Sequence, residues 1–206
     1  MFKKYKELFL TLLILTAFFT APVKAAPLLD AKSLYSRLAL FGQIEFDKFE
    51  RAYHHFIISG SKKPIFTLID YGKPSTKKRF WVIDVKKRRV LFESHVTHGK
   101  NSGELYAVTF SNKVNSLKTS VGIFKAAEVY YGKHGYSLRL DGLSKGLNDN
   151  ARKRAIVIHG ADYADPRVIS EHGQLGRSWG CPALPLSVSR RVINMIKEGT
   201  FIYAFS

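Results

Sequence analysis

The sequence predicts a mainly β domain with packed helices. From residue 64 onwards, short β-branched and aromatic runs are separated by turn-like segments that carry charge, Gly or Pro. Before residue 64, and again near the C-terminus, apolar residues recur at helical spacing. The chain has 206 residues, 46% of them apolar and 24% charged. This length fits one domain of roughly 150 residues plus a short extension. The composition excludes collagen-like, low-complexity and largely disordered chains.

Residues 1–25 have the three parts of a secretory signal peptide. A basic start precedes an apolar run over residues 8–19, and small residues follow it. The run is shorter than the about 20 residues that a transmembrane helix needs. We expect cleavage after Ala25 or Ala26, with an uncleaved membrane anchor as the alternative. The mature protein is then secreted across the inner membrane. A periplasmic location is favoured over a Gram-positive wall, because the sequence has no wall-sorting tail or repeat module.

The segment over residues 26–63 is predicted to be helical and to pack on the domain formed by residues 64–206. Its apolar side chains recur near helical spacing with an interruption at Gly42, which predicts two short amphipathic helices: Leu34, Leu38, Phe41, Ile44, Phe49, Tyr53 and Phe56. One later helix is predicted over residues 186–197, because it carries an apolar face and ends before Gly199.

Runs of β-branched and aromatic residues predict the strands of the second segment. The predicted strands cover residues 65–71, 80–85, 90–96, 105–110, 136–140, 155–159 and 200–205. Residues 85–90 are typical of a hairpin connection.

The charge balance and the cysteine content limit the function. The chain has 33 basic and 16 acidic residues, a formal net charge of +17. For an exported protein this charge favours the anionic envelope surface over nucleic acid, while a solvated basic surface is the simpler alternative. A single cysteine excludes an internal disulfide framework and a zinc site built from several thiolates.

That cysteine lies in the segment most informative about chemistry. An apolar strand ends at His159, and Cys181 follows later in a turn flanked by Gly180. An imidazole can take the proton of a thiol and so produce a nucleophilic thiolate. Glycine allows a tight turn, and the backbone amides of Gly180 and Cys181 are expected to point towards an oxyanion. A buried, inert cysteine is the alternative, because free cysteines are commonly small core residues.

The motif around these residues resembles a known enzyme family. The pair His159-Gly160, followed by Ser178-x-Gly180-Cys181, resembles the signature of the YkuD-type L,D-transpeptidase catalytic domain. Residues 176–184 resemble more closely the murein L,D-transpeptidase catalytic domain variant that has Gly-Cys-Pro-Ala. Residues 122–124 and 131–140 also resemble that family. The resemblance covers roughly residues 64–205 and implies a β-sandwich core.

The resemblance implies a role for each motif residue. Cys181 is the expected nucleophile and His159 its base, while the carbonyl of Gly160 holds the imidazole tautomer. Ser178 shapes the turn, and Gly180 contributes to the oxyanion site.

Two departures from the family pattern concern the substrate. Trp179 stands where the larger family has a second histidine, and Pro182-Ala183 replaces a pair that contains arginine. Arg177 is expected to substitute for that arginine. Three further residues are expected to line the substrate groove, together with Arg177 and Trp179: His134, Tyr136 and Tyr163.

The implied reaction is acyl transfer on peptidoglycan stem tetrapeptides, in which Cys181 forms a thioester that an amine then resolves. If water resolves it, the protein is an L,D-carboxypeptidase. No cofactor and no metal are expected, nor a nucleic-acid partner, and the protein is predicted to be a monomer.

Two competing functions stay open. One is a zinc peptidase using His159, Asp165 and Cys181, although the paired histidines of zincins are missing. The second is a basic cell-wall-binding module without catalysis.

Overall fold

The structure, a computed structural model, describes residues 29–206, in which eight strands form one continuous sheet. The strands are β1 (Ile65–Asp70), β2 (Phe80–Asp84), β3 (Arg89–Ser94), β4 (Gly122–Gly132), β5 (Gly135–Gly142), β6 (Val157–Ala161), β7 (Ala183–Pro185) and β8 (Phe201–Phe205). The helices are α1 (Ala31–Arg37), α2 (Phe46–Ile58), α3 (Arg167–His172) and α4 (Leu186–Ile196). The strand order is β3-β2-β1-β8-β4-β5-β6-β7. The predicted class, mainly β with packed helices, is confirmed.

The central strands are covered on both faces. In β1, Phe66 and Leu68 belong to one buried apolar cluster, whereas Ile69 belongs to a second cluster on the opposite face. In β8, Phe201 and Ile202 divide between the same two clusters. Successive side chains of a strand point to opposite faces, so a strand buried on both faces reads as a continuous apolar run. These strands were predicted for that reason.

Helices α1 and α2, here called the helical cap, close one face of the sheet. Asp30 caps α1 by accepting a hydrogen bond from the Ser33 amide at 3.0 Å. In α2, Phe49, Tyr53 and Phe56 lie on one side of the helix and pack around Phe66 of β1. Burial of each phenylalanine contributes about 1.5–3 kcal/mol. The two predicted amphipathic helices are confirmed, and so is the late helix, α4.

Residues 95–121, here called the site loop, connect β3 to β4 without a regular strand or helix. Part of this loop pairs with the segment around Cys181. The Thr97 amide donates to the Ala183 carbonyl at 3.0 Å, and the Ser178 amide donates to the His98 carbonyl at 2.9 Å. These backbone bonds attach the cysteine segment to the body of the domain.

One predicted strand is wrong, and two strands were missed. Residues 105–110 form irregular backbone, because the amides of Val108 and Thr109 both donate to the Ser102 carbonyl within the same loop. Strand β4, which pairs with β8 and β5 inside the sheet, was missed because polar positions break its apolar run: its first half holds the buried residues, and its second half is half-buried or exposed. The three-residue β7 is too short to show a pattern.

The predicted signal peptide over residues 1–25 lies outside the described residues. Within residues 29–206, no helix has the length and apolar character needed to cross a membrane. The division at residue 64 stays a prediction; the helical cap shares a buried cluster with β1, β2 and β8.

Candidate active site

Residues 178–181, here called the cysteine turn, are held by the Ser178 hydroxyl. This hydroxyl accepts a hydrogen bond from the Gly180 amide at 3.0 Å and donates to the Cys181 carbonyl at 2.6 Å. Gly180 has φ +118°, and a Cβ there would lie 2.7 Å from the carbonyl oxygen of Lys118. Both the backbone conformation and the available space therefore require glycine at this position.

The expected oxyanion geometry at Gly180 is not what the structure shows. The Gly180 amide is used inside the turn by Ser178, so it does not point towards a substrate. The Cys181 amide, in contrast, has no acceptor among residues 29–206. Sequence reasoning could not separate the two amides, because the difference depends on the rotamer of Ser178.

The thiol of Cys181 is partly buried near the start of β6. Its Sγ lies 3.6 Å from the carbonyl oxygen of Ala155, to which the S–H donates. Burial raises the pKa of the Cys181 thiol, whereas a hydrogen bond from the Val157 backbone and the charge of Arg154 lower it. Ala155 itself has φ +53°, a strained conformation for a residue with a Cβ. The resting thiol is thus protonated and directed at a carbonyl.

His159 lies on β6 and is oriented by its own neighbour. Its Nδ1 lies 3.0 Å from the Gly160 carbonyl oxygen, and the ring is buried. Because a carbonyl can only accept, the proton must be on Nδ1, which leaves Nε2 of the neutral ring as a base. Burial lowers the pKa of His159, and the charge of His134 lowers it further. The ring is therefore neutral near pH 7. This is the contact that the resemblance implied for Gly160.

Gly160 also sets the distance between β6 and α4. A Cβ at this position would lie 2.5 Å from Ser189 Oγ and 2.8 Å from Leu186 Cδ2. Glycine thus lets helix α4 approach the backbone that carries His159.

The sheet register brings His159 and Cys181 onto neighbouring segments. Strands β6 and β7 are parallel, with His159 opposite Ala183. Cys181 precedes Ala183 by two residues. With about 4.8 Å between strands and about 3.3 Å per residue along a strand, the backbone of Cys181 lies on the order of 8 Å from that of His159. No hydrogen bond joins the thiol to the imidazole in this structure of residues 29–206. The thiol must turn away from Ala155 to reach Nε2.

Sequence reasoning missed Arg154 as a site residue. Its guanidinium lies beneath the cysteine turn, where Nη2 would be 3.1 Å from a Cβ at Gly180. The sequence signal was the basic run at residues 152–154, which resembles any solvated basic cluster.

The predicted groove residues on the β4–β5 hairpin lie beside the site. The ring of His134 stacks on His159 with 4.2 Å between centroids. Tyr136 donates its hydroxyl to Asn194 Oδ1 of α4 at 2.8 Å. Trp179 is 69% exposed, and Lys133 Nζ at the hairpin tip lies 5.9 Å from its ring centroid. The hairpin tip therefore contacts both His159 and the cysteine turn.

The two remaining predicted groove residues, Arg177 and Tyr163, have different surroundings. Arg177 forms an ion pair with Glu104 of the site loop, so its charge is already neutralised. Tyr163 packs against Gly176, where a Cβ would lie 2.5 Å from Tyr163 Cβ. Burial, and then the nearby Cys181, raise the pKa of Tyr163 to about 12. Its hydroxyl therefore stays protonated near neutral pH.

The three residues considered as zinc ligands of a peptidase do not form a metal site in the described part of the chain. Within residues 29–206, His159, Asp165 and Cys181 do not form a group that could hold a metal ion.

A family model described as the L,D-transpeptidase catalytic domain matches residues 42–205 of the chain. The match begins within the helical cap region, earlier than the resemblance at residue 64. Among curated proteins, none matches the chain by sequence.

Solved structures give weaker similarities. An L,D-transpeptidase from Mycobacterium smegmatis is 16% identical, with a TM-score of 0.43 over 69% of this chain and 59% of that chain. A mutant L,D-transpeptidase from Enterococcus faecium is 17% identical, with a TM-score of 0.43 over 69% of this chain and 50% of that chain. The helical cell shape determining protein Pgp2 from Campylobacter jejuni is 16% identical, with a TM-score of 0.42 over 73% of this chain and 54% of that chain. This chain matches less than two thirds of the length of each of these proteins.

Proposed function

Because the chain belongs to the L,D-transpeptidase catalytic domain family, we propose that it is a peptidoglycan L,D-transpeptidase that acts by cysteine acyl transfer on stem tetrapeptides. The observation that carries the proposal is the 3.0 Å contact between His159 Nδ1 and the Gly160 carbonyl, beside the segment that bears Cys181. This contact leaves Nε2 of a neutral imidazole as the base for a thiol on the adjacent segment.

The first half of the proposed reaction forms a thioester. The Cys181 thiol leaves the Ala155 carbonyl and gives its proton to Nε2 of His159. The sulfur attacks the carbonyl carbon of the third residue of the stem, and the oxyanion is stabilised by the Cys181 amide, which has no other acceptor among residues 29–206. The C–N bond to the terminal D-Ala breaks, and His159 returns the proton to the leaving amine.

The second half transfers the acyl group. His159 takes a proton from the amine of a neighbouring stem as that amine attacks the thioester carbonyl. The C–S bond breaks, the sulfur recovers the proton, and a 3→3 cross-link results. With water as the acceptor, the same steps would release a tripeptide, which is L,D-carboxypeptidase chemistry.

Export to the periplasm is part of the proposal. Peptidoglycan lies outside the inner membrane, and residues 1–25 have the composition of a secretory signal. Sequencing of the N-terminus after expression of the full chain tests it: processing after Ala25 or Ala26 with recovery in the periplasmic fraction is expected, and an intact N-terminus in the cytoplasm would contradict it.

The direct test is mass spectrometry of the full chain incubated with a carbapenem and, separately, with disaccharide-tetrapeptide. A carbapenem is a strained amide that acylates an activated thiolate, so we expect an adduct of the drug's mass on the wild type and none on Cys181→Ala. His159→Gln should slow acylation by at least about 100-fold, since general-base catalysis contributes that much. The exposed His172 offers a matched control, His172→Gln, which should react like the wild type.

The products with disaccharide-tetrapeptide distinguish the acceptors. A cross-linked dimer would support transpeptidation, and a free tripeptide would support the carboxypeptidase. A folded wild-type chain that forms neither a drug adduct nor a product would refute the enzyme and favour the cell-wall-binding module.

A further inference from the structure

Among residues 29–206, no acidic side chain neutralises the positive charge of Arg154. Its Nη1 donates to the Ser111 carbonyl at 2.5 Å and to the Ser120 hydroxyl, while Nη2 donates to Ser116 Oγ at 3.2 Å and to the Lys118 carbonyl at 2.5 Å. All four acceptors are neutral oxygens. Among residues 29–206, Arg154 has no ion pair, and the one ionisable partner that affects its pKa is Cys181.

The guanidinium lies against the cysteine turn. Its Nη2 would be 3.1 Å from a Cβ at Gly180, and the Cys181 Sγ lies 3.6 Å from the carbonyl oxygen of Ala155, the residue directly after Arg154. The charge lowers the pKa of the thiol, against the opposing effect of burial. A charge in a partly buried setting acts over such distances with less screening than at the surface.

Neighbouring arginines are arranged differently. Arg177 pairs with Glu104, and Arg152 pairs with Glu128 and Asp141. These acidic partners therefore largely neutralise the charges of Arg177 and Arg152. Of these three arginines around the site, Arg154 is the one whose charge reaches the cysteine turn.

We propose that Arg154 is a positioning residue that favours the thiolate of Cys181 by its unneutralised charge, while its four hydrogen bonds to residues 111–120 of the site loop hold the guanidinium beside the cysteine turn. The inference rests on the proposed thiol chemistry, because it gives Arg154 no role if Cys181 is inert. Arg154 does not touch the substrate in this scheme; it acts through the ionisation of Cys181. The same charge is a local attraction for the carboxylates of the stem peptide.

The test is the pH dependence of alkylation of the full chain by iodoacetamide. The chain has one cysteine, so the rate reports Cys181 alone and requires neither substrate nor turnover. The variants are Arg154→Gln, which removes the charge, and Arg154→Lys, which keeps the charge but loses the planar fork. Arg152→Gln is the matched control from the same basic run, and circular dichroism confirms that each variant is folded.

We expect Arg154→Gln to slow alkylation at pH 7 by about tenfold and to move the profile to higher pH, the effect of losing one nearby opposite charge. Arg154→Lys and Arg152→Gln should keep the wild-type profile. Equal slowing in Arg154→Gln and Arg154→Lys would overturn the inference, because loop geometry rather than charge would then control the thiol. An unchanged profile in Arg154→Gln would overturn it as well.

Two further outcomes keep the test decisive. If Arg154→Gln does not fold, Arg154→Lys is compared with Ser120→Ala, which loses one contact of the guanidinium and retains the charge. Both must then keep the wild-type profile, and a shift in either would overturn the inference.

A wild-type Cys181 that resists alkylation in the folded chain would refute the proposed function together with this inference, whereas normal alkylation with an unchanged Arg154→Gln profile refutes the inference alone.

Discussion

The helical cap and the site loop lie on the same domain but are stabilised in opposite ways. The cap buries aromatic side chains, such as Phe49 and Phe56, against the sheet. The site loop instead depends on buried polar groups. Arg79 is fully buried and donates to the Val96 carbonyl through Nε at 3.0 Å and Nη2 at 2.9 Å, and to His98 Nδ1 at 2.7 Å. An apolar core tolerates hydrophobic substitutions of similar volume. A buried polar network, in contrast, requires that every hydrogen-bonding partner be present.

This difference accounts for the position of the candidate active site on the loop side. Backbone amides and carbonyls that are not used in a ladder can bind a substrate, and charged groups can change the ionisation of a thiol. Such groups need side chains that fix them, which is the role of Ser178 in the cysteine turn and of Arg79 beneath the loop. We therefore expect mutations in the cap to affect stability alone, and mutations on the loop side to affect reactivity and the response to pH.

The largest expected effect is on stability in the cap. Phe49→Ala removes a fully buried ring and should lower the free energy of unfolding by about 3–5 kcal/mol, as measured by urea denaturation. Below the unfolding transition, the alkylation rate of Cys181 should be unchanged. A large change in that rate with the chain still folded would contradict the separation of the two regions. The exposed Phe41 provides the control Phe41→Ala, which should cost far less stability.

Acid should destabilise the loop side through His98. Burial first, and then the charge of Arg79, lower its pKa from 6.5 to about 4, so the folded chain binds fewer protons than the unfolded chain between these values. The stability from neutral His98 is therefore present above pH 6.5 and is lost as the pH falls towards 4, a loss of about 3 kcal/mol.

Urea unfolding at a series of pH values measures this loss. His98→Asn keeps an acceptor for Arg79 and should flatten the dependence on pH, while His54→Gln, on the exposed side of the cap, should not. Identical slopes for the wild type and His98→Asn would show that His98 is not the titrating group. His95 and His159, whose pKa values burial also lowers, contribute to the slope that remains.

Gly180→Ala should disrupt the cysteine turn. The positive φ and the contact with the Lys118 carbonyl force the backbone to move, and a displacement of that size should reduce carbapenem acylation by about 100-fold. Gly135→Ala is the matched control, because Gly135 also has a positive φ, +69°, but nothing lies within 4 Å of an added Cβ. Equal losses in the two variants would mean that backbone strain rather than the close approach matters.

The smallest effect is expected at His134. Its charge lowers the pKa of His159, so His134→Gln should raise that pKa and move the acid limb of the acylation profile to higher pH. The rate below pH 6 should fall about twofold, because a smaller fraction of His159 is then neutral. An unchanged limb, or a shift of the limb to lower pH, would contradict the effect assigned to the charge of His134.

Local patterns predicted most of the regular elements. The helical spacing of Phe49, Tyr53 and Phe56 determines α2, and the continuous apolar runs determine β1, β2 and β8, because side-chain period follows directly from backbone geometry. The wrong strand at residues 105–110 has β-branched and aromatic residues but no neighbouring strand to pair with among residues 29–206. Strand pairing is a tertiary property, so composition alone could not exclude it.

The residue types that form the site could be predicted from the sequence, whereas the contacts between them could not. The motif around His159 and Cys181 is local in sequence, and so is the orienting bond from His159 to the Gly160 carbonyl. The ion pair of Arg177 with Glu104 and the approach of Arg154 to Gly180 join residues far apart in the chain. The sequence alone therefore determined which groups can do chemistry. The tertiary structure decided which charge is neutralised, which amide stays free and where the thiol points, because each depends on distant partners that only folding brings together.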